Sequence, residues 1–293
     1  MNNFVKKPLQ IVKKSFIRML PARWHVVYRY LRAHGRMPNL KSPRTFNEKI
    51  AWRKLYDHNP RMPPLVDKIV GKEMMAARFG ADFVIPTLAT FASEREVDFS
   101  ALPYPCVLKA NHGSGMNIFL AQRPPDEMIV RLQLRRFLHC DFSWAHREWA
   151  YSQIPRRILV EPLVEGGEHG LVDYKFHTFG GKVFAIQVDL DRYTGHRRAF
   201  YDLKWKRMPF ELLYPAPAYE VAPPAKLEEM LHYAEQIGKD FAHVRVDLYE
   251  IGGGVKFGEA TFTHGAGHER FEPKEWDLLF GAQWKLDAGR DRP

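Results

Sequence analysis

Apolar residues recur at helical spacing along the first twenty positions. One face of a helix there would carry Val5, Leu9, Val12, Phe16 and Leu20. Pro21 interrupts this pattern, and the chain is then predicted to be helical to about Arg36. The sequence therefore predicts an amphipathic, helical N-terminal segment over residues 1–36.

Residues 37–104 are predicted to form a small, mostly helical domain. Thr45 and Glu48 stand three positions apart, as the two partners of a capping box do, so a helix is expected to begin there and to continue through Leu55. A second helix is predicted over residues 65–79.

From residue 105 onward, short apolar runs separated by glycines predict strands and hairpins. The strands are predicted over residues 106–110, 117–120, 157–161, 173–179, 182–188, 244–249 and 255–259. Helices are predicted over residues 126–149 and 226–242. Because hairpins alternate with helices, the predicted fold class is α+β rather than a doubly wound parallel sheet.

The composition is that of a folded protein with one large domain or two moderate ones. Of 293 residues, 45% are hydrophobic, which excludes a disordered chain and a fibrous repeat. Two cysteines are too few for a disulfide framework, and no run of 18 apolar residues is present to span a bilayer. No signal peptide is apparent, so we expect a cytoplasmic protein.

The net charge of +10 is concentrated at one end of the chain. Residues 1–47 hold eleven Lys and Arg and no acid, whereas the remaining residues carry 33 basic and 34 acidic side chains. A nucleic-acid enzyme spreads its basic surface along its body, so we expect no nucleic-acid partner. Residues 1–36 fit a helix that lies on an anionic membrane; alternatively, the helix packs its apolar face on its own body.

Two lysines and a glycine turn are candidates for binding phosphate. Lys109 ends a predicted strand directly before the turn at residues 111–115, whose backbone amides can close over phosphates. Alternatively, the segment is only a tight hairpin with an exposed lysine. Lys175 lies on another predicted strand. Glu161 ends a strand whose following amides can pair with an adenine edge, and Glu168 is placed to reach a ribose hydroxyl.

The last predicted hairpin holds the strongest local signal. Asp247 and Glu259 lie on two strands joined by three glycines and are predicted to face one another. Two carboxylates on one face repel each other unless a cation lies between them, and Mg²⁺ binds a few carboxylates together with nucleotide phosphates. Alternatively, one of them points to solvent and the other pairs with Arg245 or Lys256.

In this order, the residues resemble the ATP-grasp superfamily, and more specifically its TupA-like branch, named for teichuronopeptide synthesis and found among surface-polysaccharide genes. The resemblance covers roughly residues 40–285. It rests on residues 42–50, 54–57, 65–68, 107–115, 173–176, 191–192, 258–262 and 265–267. It implies two α+β subdomains that clasp ATP, within a domain over residues 105–293: a lid over about 105–165 and a metal-binding part over about 166–293.

The resemblance also implies roles for individual residues. ATP would be bound by Lys109, Gly113, Ser114, Gly115, Glu161, Leu163, Glu168 and Lys175. Mg²⁺ would be bound by Asp247 and Glu259, with the Thr261 hydroxyl where many relatives have an asparagine amide, which puts a second ion site in doubt. Catalysis would involve Lys109, Lys175 and Arg192, and anionic substrate would be held by Arg197, Arg198, His264 and Arg270.

The activity that the resemblance implies is carboxylate–amine ligation. ATP would phosphorylate a carboxylate, and an amine would then displace phosphate to leave an amide, with a saccharide or small-molecule carboxylate as substrate. Two alternatives stay open: a kinase that uses the same residues on a sugar or small molecule, and a non-catalytic nucleotide-binding protein that lies on the inner membrane surface in polysaccharide assembly.

Overall fold

Two antiparallel sheets line opposite walls of one cleft, and helices precede and flank them. A computed structural model describes residues 19–164, 166, 170–191 and 195–286. The helices are α1 (Ala22–His34), α2 (Phe46–Tyr56), α3 (Met62–Val66), α4 (Val70–Phe79), α5 (Glu127–His139), α6 (Phe142–His146), α7 (Leu227–Gly238) and α8 (Glu275–Gln283).

The first sheet has four short strands. They are β1 (Ala89–Phe91), β2 (Cys106–Ala110), β3 (Asn117–Leu120) and β4 (Ile158–Pro162), in the order β1-β4-β2-β3. Leu108 and Val160 lie in a buried cluster with Leu134 of α5. Because side chains alternate along a strand, Lys109 lies on the face opposite to Leu108 and is turned away from this core.

The second sheet has five strands. They are β5 (Asp173–Phe179), β6 (Lys182–Leu190), β7 (Arg197–Tyr201), β9 (His243–Ile251) and β10 (Gly254–Thr261), in the order β10-β9-β5-β6-β7. Every neighbouring pair is antiparallel. The predicted hairpins β5–β6 and β9–β10 are confirmed.

Alternation along the strands gives this second sheet one apolar and one polar face. Phe176 and Val246 are fully buried in a cluster with Ala234 and Ile237 of α7. The residues next to them on the opposite face of the sheet, Lys175 beside Phe176 and Asp247 beside Val246, are charged. Glu259 pairs in register with Asp247, and Asp247 with Lys175, so that three charged side chains stand in one row across the sheet.

A small two-stranded sheet and the helix α8 cover one end of the second sheet. The strands β8 (Glu211–Leu212) and β11 (Phe271–Glu272) pair with each other. Phe46 of α2 and Phe280 of α8 are fully buried in an aromatic cluster there. This cluster holds α2 against the second sheet.

The helix α2 begins as its sequence predicts. Thr45 and Glu48 form a complete capping box, in which the Thr45 side chain accepts from the Glu48 amide and the Glu48 carboxylate accepts from the Thr45 amide. The single helix predicted over residues 65–79 is wrong, because the helical run breaks between α3 and α4. The Asp67 carboxylate accepts from the amides of Ile69 and Val70 and so begins a new helix.

The helix α1 packs on the body of the protein. His25, Val26, Val27 and Tyr30 are buried, and Val26 and Tyr30 lie in a cluster with Ala51 of α2. For residues 22–34, the structure therefore shows the alternative in which the helix docks on its own body. Most of the predicted apolar stripe, from Val5 to Phe16, lies outside the described residues. Among the described residues, no helix combines the length and apolar character needed to cross a bilayer.

Buried side chains of residues 37–104 are shared among the same clusters as those of the two sheets. Met75 lies in the cluster under the second sheet, Phe99 in that under the first, and Phe46 in the aromatic cluster. The domain boundaries at residues 36, 104 and 165 stay predictions. The predicted α+β fold class is confirmed.

Candidate active site

The polar face of the second sheet forms one wall of a cleft of about 840 Å³. Lys175, Asp247 and Glu259 lie on this wall, and Lys109 with Ser114 lies on the opposite wall, which the first sheet provides. The volume lies within the range of small-molecule sites. The structure thus brings the predicted phosphate lysines and the predicted acid pair to one cavity.

Lys109, on strand β2 of the first sheet, forms an ion pair with Glu161. Its Nζ is 2.5 Å from Glu161 Oε2, and the Nζ of Lys72 from α4 is 2.6 Å from Glu161 Oε1. Burial favours the neutral acid, but the two ammonium groups prevail and lower the pKa of Glu161 below its usual value. Lys109 keeps a quarter of its side-chain surface exposed to the cleft, whereas Lys72 is buried. Lys109 is therefore the lysine of the two that is placed to meet a ligand.

The segment that follows Glu161 offers few backbone amides as hydrogen-bond donors. Pro162 has no amide hydrogen, and the Leu163 amide already donates to the Pro105 carbonyl over 3.1 Å. Leu163 therefore has no amide to give to an adenine edge, as its predicted role would require. Glu168 lies outside the described residues.

Gly113 and Gly115 allow the backbone of the turn at residues 111–115 to pack tightly. A Cβ on Gly113 would lie 2.9 Å from the Phe142 ring, and Gly115 has φ +74°. The Gly113 carbonyl accepts from Lys68 Nζ over 2.9 Å, while Ser114 and Gly115 line the cleft. Ser114 and Gly115 of the predicted lid therefore border the cleft in a tight turn. Gly113 stabilises this turn through its hydrogen bond with Lys68.

Lys68 is a cleft residue that the sequence reasoning did not single out. Its Nζ also lies 3.1 Å from Glu259 Oε2, so it links the glycine turn to the acid pair. It reaches this position because the helical run breaks at Asp67. The signal that could have found it is the Asp67–Lys68 pair inside an otherwise helical segment.

Asp247 and Glu259 lie directly opposite each other on β9 and β10. Arg245 donates to both oxygens of Asp247, over 2.7 and 2.6 Å, and lies 3.5 Å from Glu259 Oε1. Lys256 donates instead to the Asp82 carbonyl. The pairing with Arg245 that the alternative named is therefore present for the buried Asp247, whereas Glu259 is only partly exposed and contacts both Arg245 and Lys68.

Lys175 completes the charged row. Its Nζ lies 2.8 Å from Asp247 Oδ2 and 3.0 Å from Asp173 Oδ2. Burial disfavours the ammonium, but these carboxylates outweigh it and raise the pKa of Lys175. Burial likewise favours neutral Glu259, yet Lys68 and Arg245 hold its pKa well below the usual value. Lys175 and Glu259 are therefore charged at neutral pH.

The donor set fits a magnesium ion. Among the described residues no three His, Cys, Asp or Glu side chains cluster as a closed metal site. Mg²⁺ needs only one or two carboxylates when phosphates supply the rest, and Asp247 and Glu259 face the cleft from adjacent strands. The Thr261 hydroxyl lines the cleft beside them and accepts from Arg245 over 3.0 Å.

The predicted substrate residues divide into two groups. Arg198 is buried at the cleft, where Asp189 Oδ1 accepts from its Nε over 2.6 Å. His264 is buried behind the cleft, and its Nδ1 lies 2.6 Å from Arg245 Nη1. Arg197 and Arg270 are exposed and do not line the cleft, since Arg197 alternates with Arg198 and Arg270 donates to the carbonyl of Ala33 in α1. Arg192 lies outside the described residues.

A buried acid that the sequence reasoning missed also borders the cleft. Glu148 Oε2 accepts from the Thr263 hydroxyl over 2.6 Å. Burial raises the pKa of Glu148, and nearby Lys54 only partly offsets this. No motif marks this residue, because it follows the short helix α6 and reaches the site only through tertiary packing.

A known protein family matches most of the chain. The family described as TupA-like ATPgrasp matches residues 48–285, which confirms the family resemblance seen in the sequence. No curated protein matches the chain.

Several solved structures are similar. D-alanine–D-alanine ligase from Bacillus anthracis is 16% identical, with 74% of this chain and 59% of that chain covered and a TM-score of 0.39. A RimK domain ATP-grasp protein from Sphaerobacter thermophilus is 15% identical (75% and 67% covered, TM-score 0.41). N5-carboxyaminoimidazole ribonucleotide synthetase from Thermus thermophilus is 13% identical (74% and 52% covered, TM-score 0.41). The chain thus spans a little over half the length of the first and third of these proteins.

Proposed function

The chain belongs to the TupA-like ATP-grasp family, and from this membership and the cleft we propose that it is an ATP- and Mg²⁺-dependent carboxylate–amine ligase. One observation carries the proposal. The row of Glu259, Asp247 and Lys175 faces the lysine and glycine turn of the other sheet across one cavity. Such an arrangement can hold a polyphosphate between cations and a metal-binding acid pair.

The nucleotide phosphates would lie between the two sheets. Lys109 and Lys68 would contact them from one wall, and the backbone at Ser114 and Gly115 would cover them. In the structure each of these lysines is compensated by a carboxylate, Glu161 or Glu259. Phosphate oxygens would take over part of that role, so the site is preorganised for a polyanion.

Asp247 and Glu259 would hold Mg²⁺, with the Thr261 hydroxyl as a third oxygen. When bound, the ion would neutralise charge on the phosphate oxygens. Lys175 and Arg245 stay ion-paired to Asp247 in the structure. These cations fix the orientation of the carboxylate and add positive charge where the transferring phosphoryl group would lie.

The reaction would proceed in two displacements. A substrate carboxylate oxygen attacks the γ-phosphorus, the bond to the β-phosphate oxygen breaks, and ADP leaves. A neutral amine then attacks the acyl carbon, the carbon–oxygen bond to phosphate breaks, and the amine loses a proton to give the amide. Arg245 and Lys175 would stabilise the developing negative charge, and Arg198 would orient an anionic substrate.

The proposed substrates are a uronic acid or an amino acid as the carboxylate and an amine partner, within surface-polysaccharide synthesis. The association of TupA-like proteins with polysaccharide genes supports this choice. The eleven basic residues of residues 1–47 support placement on the inner, anionic membrane surface, where such precursors are assembled.

ADP release with pooled amino acids and uronic-acid sugars tests the proposal, with products identified by mass spectrometry. An amide together with ADP and inorganic phosphate is the expected result. A phosphoester with ADP would instead make the protein a kinase, and nucleotide binding without turnover would make it a non-catalytic component. The acid variant Glu259→Gln serves as the inactive control in the same assay.

A further inference from the structure

Arg29 brings an uncompensated positive charge to one end of the cleft. It is exposed on α1 and lines the cavity. It makes no hydrogen bond or ion pair with any residue in the described part of the chain. The cleft cations Lys68, Lys109, Lys175, Arg198 and Arg245 all have a carboxylate partner. Arg29 therefore differs from every cation already assigned to the phosphates.

The cleft residues around Arg29 add no net negative charge. His268 lines the same end of the cleft, and burial together with Lys54 and Arg29 lowers its pKa to about 2. Two acids line the cleft near this end: Glu148, which lies near Lys54, and Glu269, whose Oε2 lies 2.9 Å from Arg198 Nη1. Lys54 offsets Glu148 and Arg198 offsets Glu269, so the charge of Arg29 remains.

The backbone holds this end of the cleft in place. The turn at residues 264–267 follows β10 and contains two successive left-handed residues, Gly265 (φ +53°) and Ala266 (φ +54°). The Ala266 carbonyl accepts from Lys54 Nζ over 2.8 Å, and His34 Nε2 of α1 lies 2.9 Å from the Gly267 carbonyl. A non-glycine residue in this conformation is strained, and strain of this kind concentrates at binding sites. These contacts fix α1, and so Arg29, beside the turn.

We propose that Arg29, with His268 and the strained turn, forms a second anion-binding subsite that holds an acidic group of the substrate apart from the carboxylate that is activated. The proposal rests on the proposed function for the identity of the cleft. The group would be a carboxylate or a phosphate, both of which a guanidinium binds through two parallel hydrogen bonds. Arg29 precedes residue 48, where the family match begins, whereas His268 and the turn lie within the matched residues.

The subsite predicts that a substrate with two acidic groups is preferred over one with a single acidic group. One group would be activated next to Asp247 and Glu259, and the other would lie beyond Thr261, in the direction in which β10 runs. A sugar carrying both a phosphate and a carboxylate, or a dicarboxylic amino acid, meets this requirement.

Calorimetry on the full-length protein tests the subsite directly. The nucleotide site is first filled with a non-hydrolysable ATP analogue and Mg²⁺, and inorganic phosphate or succinate is then titrated in. We expect Arg29→Gln to weaken binding of at least one of these anions by about 10- to 100-fold, as the loss of a charged hydrogen bond does. Arg32→Gln removes an exposed charge from the same helix and should leave anion binding unchanged. Whichever anion binds more tightly identifies the acidic group.

Three results would overturn the subsite: no saturable anion binding by the wild type, equal weakening in both variants, or a loss of nucleotide affinity in Arg29→Gln. The last would assign Arg29 to the nucleotide phosphates. The first step of the titration reports nucleotide binding separately. If that step fails, the proposed function is at fault, and the difference between the two variants still tests the subsite.

Discussion

Asp247 and Glu259 stand opposite each other on adjacent strands and are bridged by one arginine, Arg245. Asp247 is nearly inaccessible to solvent, whereas a third of the Glu259 side chain is exposed to the cleft. The two acids therefore differ in what they do for the fold. Asp247 faces the cleft and also compensates buried cations, and Glu259 is the more exposed of the two acids.

We expect Lys109→Ala to reduce ATP turnover by on the order of 10²- to 10³-fold, because a preorganised cation would be lost from the phosphates. Glu161 keeps Lys72 as a partner, so the fold should persist. Steady-state ADP release measures the effect, with Lys182→Ala, an exposed lysine on β6, as the control. Turnover close to that of the wild type would remove Lys109 from the site.

We expect Glu259→Gln to abolish Mg²⁺-dependent turnover while the protein stays folded, because this change removes a ligand charge from a partly exposed side chain. Turnover across a Mg²⁺ titration measures it, with Glu228→Gln, an exposed acid on α7, as the control. An unchanged Mg²⁺ dependence would make Glu259 a structural residue.

We expect Asp247→Asn to abolish turnover too, but at a cost in stability. The change leaves Lys175 and Arg245 with less compensation in a buried site, and breaking a buried ion pair costs about 3–5 kcal/mol. Urea unfolding of both acid variants checks this. Equal stability of Asp247→Asn and Glu259→Gln would contradict the division of roles.

We expect stability to fall between pH 7 and pH 5, in part because of His25. Burial, reinforced by Arg147, lowers the pKa of His25 to about 4. Since its unfolded pKa is near 6.5, the unfolded chain binds the extra proton in this window and stability decreases as the pH falls. One such group contributes about 2 kcal/mol of the decrease.

Urea unfolding at the two pH values measures this contribution. In His25→Gln the loss between pH 7 and pH 5 should be smaller by about 2 kcal/mol, whereas His232→Gln, an exposed histidine on α7, should lose as much as the wild type. An unchanged pH dependence in His25→Gln would show that His25 accepts its proton while folded.

We expect removal of residues 1–18 to abolish binding to anionic vesicles at low salt and to leave ATP turnover intact. Basic residues near anionic lipid contribute about 1 kcal/mol each, and salt screens them. Removal of residues 1–36 should instead lower the melting temperature, because it deletes the buried side chains of α1. Co-sedimentation with vesicles and thermal unfolding separate the two effects. A full-length protein that fails to co-sediment would end the membrane proposal.

The features that could be predicted from the sequence depend mostly on residues close together along the chain. The capping box at Thr45 and the pairing of Asp247 with Glu259 depend on residues close in sequence, joined by a short turn with a defined register. The arginine prediction did not use the alternation of side chains along β7. Arg197 and Arg198 are neighbours on this strand and therefore lie on opposite faces of the sheet.

The remaining cleft residues depend on tertiary packing. Lys72 and Arg29 come from helices, and Lys68 comes from the break between α3 and α4, all far in sequence from the second sheet. The helix α2 is held to the second sheet by a buried aromatic cluster around Phe46. No periodicity reports which helical lysine will meet Glu161. The partners of this site were therefore beyond pattern reasoning, whereas its acid pair was not.

Transfer of ¹⁸O from substrate to phosphate tests the central proposal most directly. Pooled amino acids and uronic acids labelled in the carboxylate are incubated with ATP, Mg²⁺ and the protein, and the released phosphate is examined by ³¹P NMR. Ligation predicts one ¹⁸O atom in each phosphate, because the oxygen that attacks ATP leaves with phosphorus when the amide forms. Unlabelled phosphate, or ADP with the phosphoryl group retained in a stable ester, would contradict it.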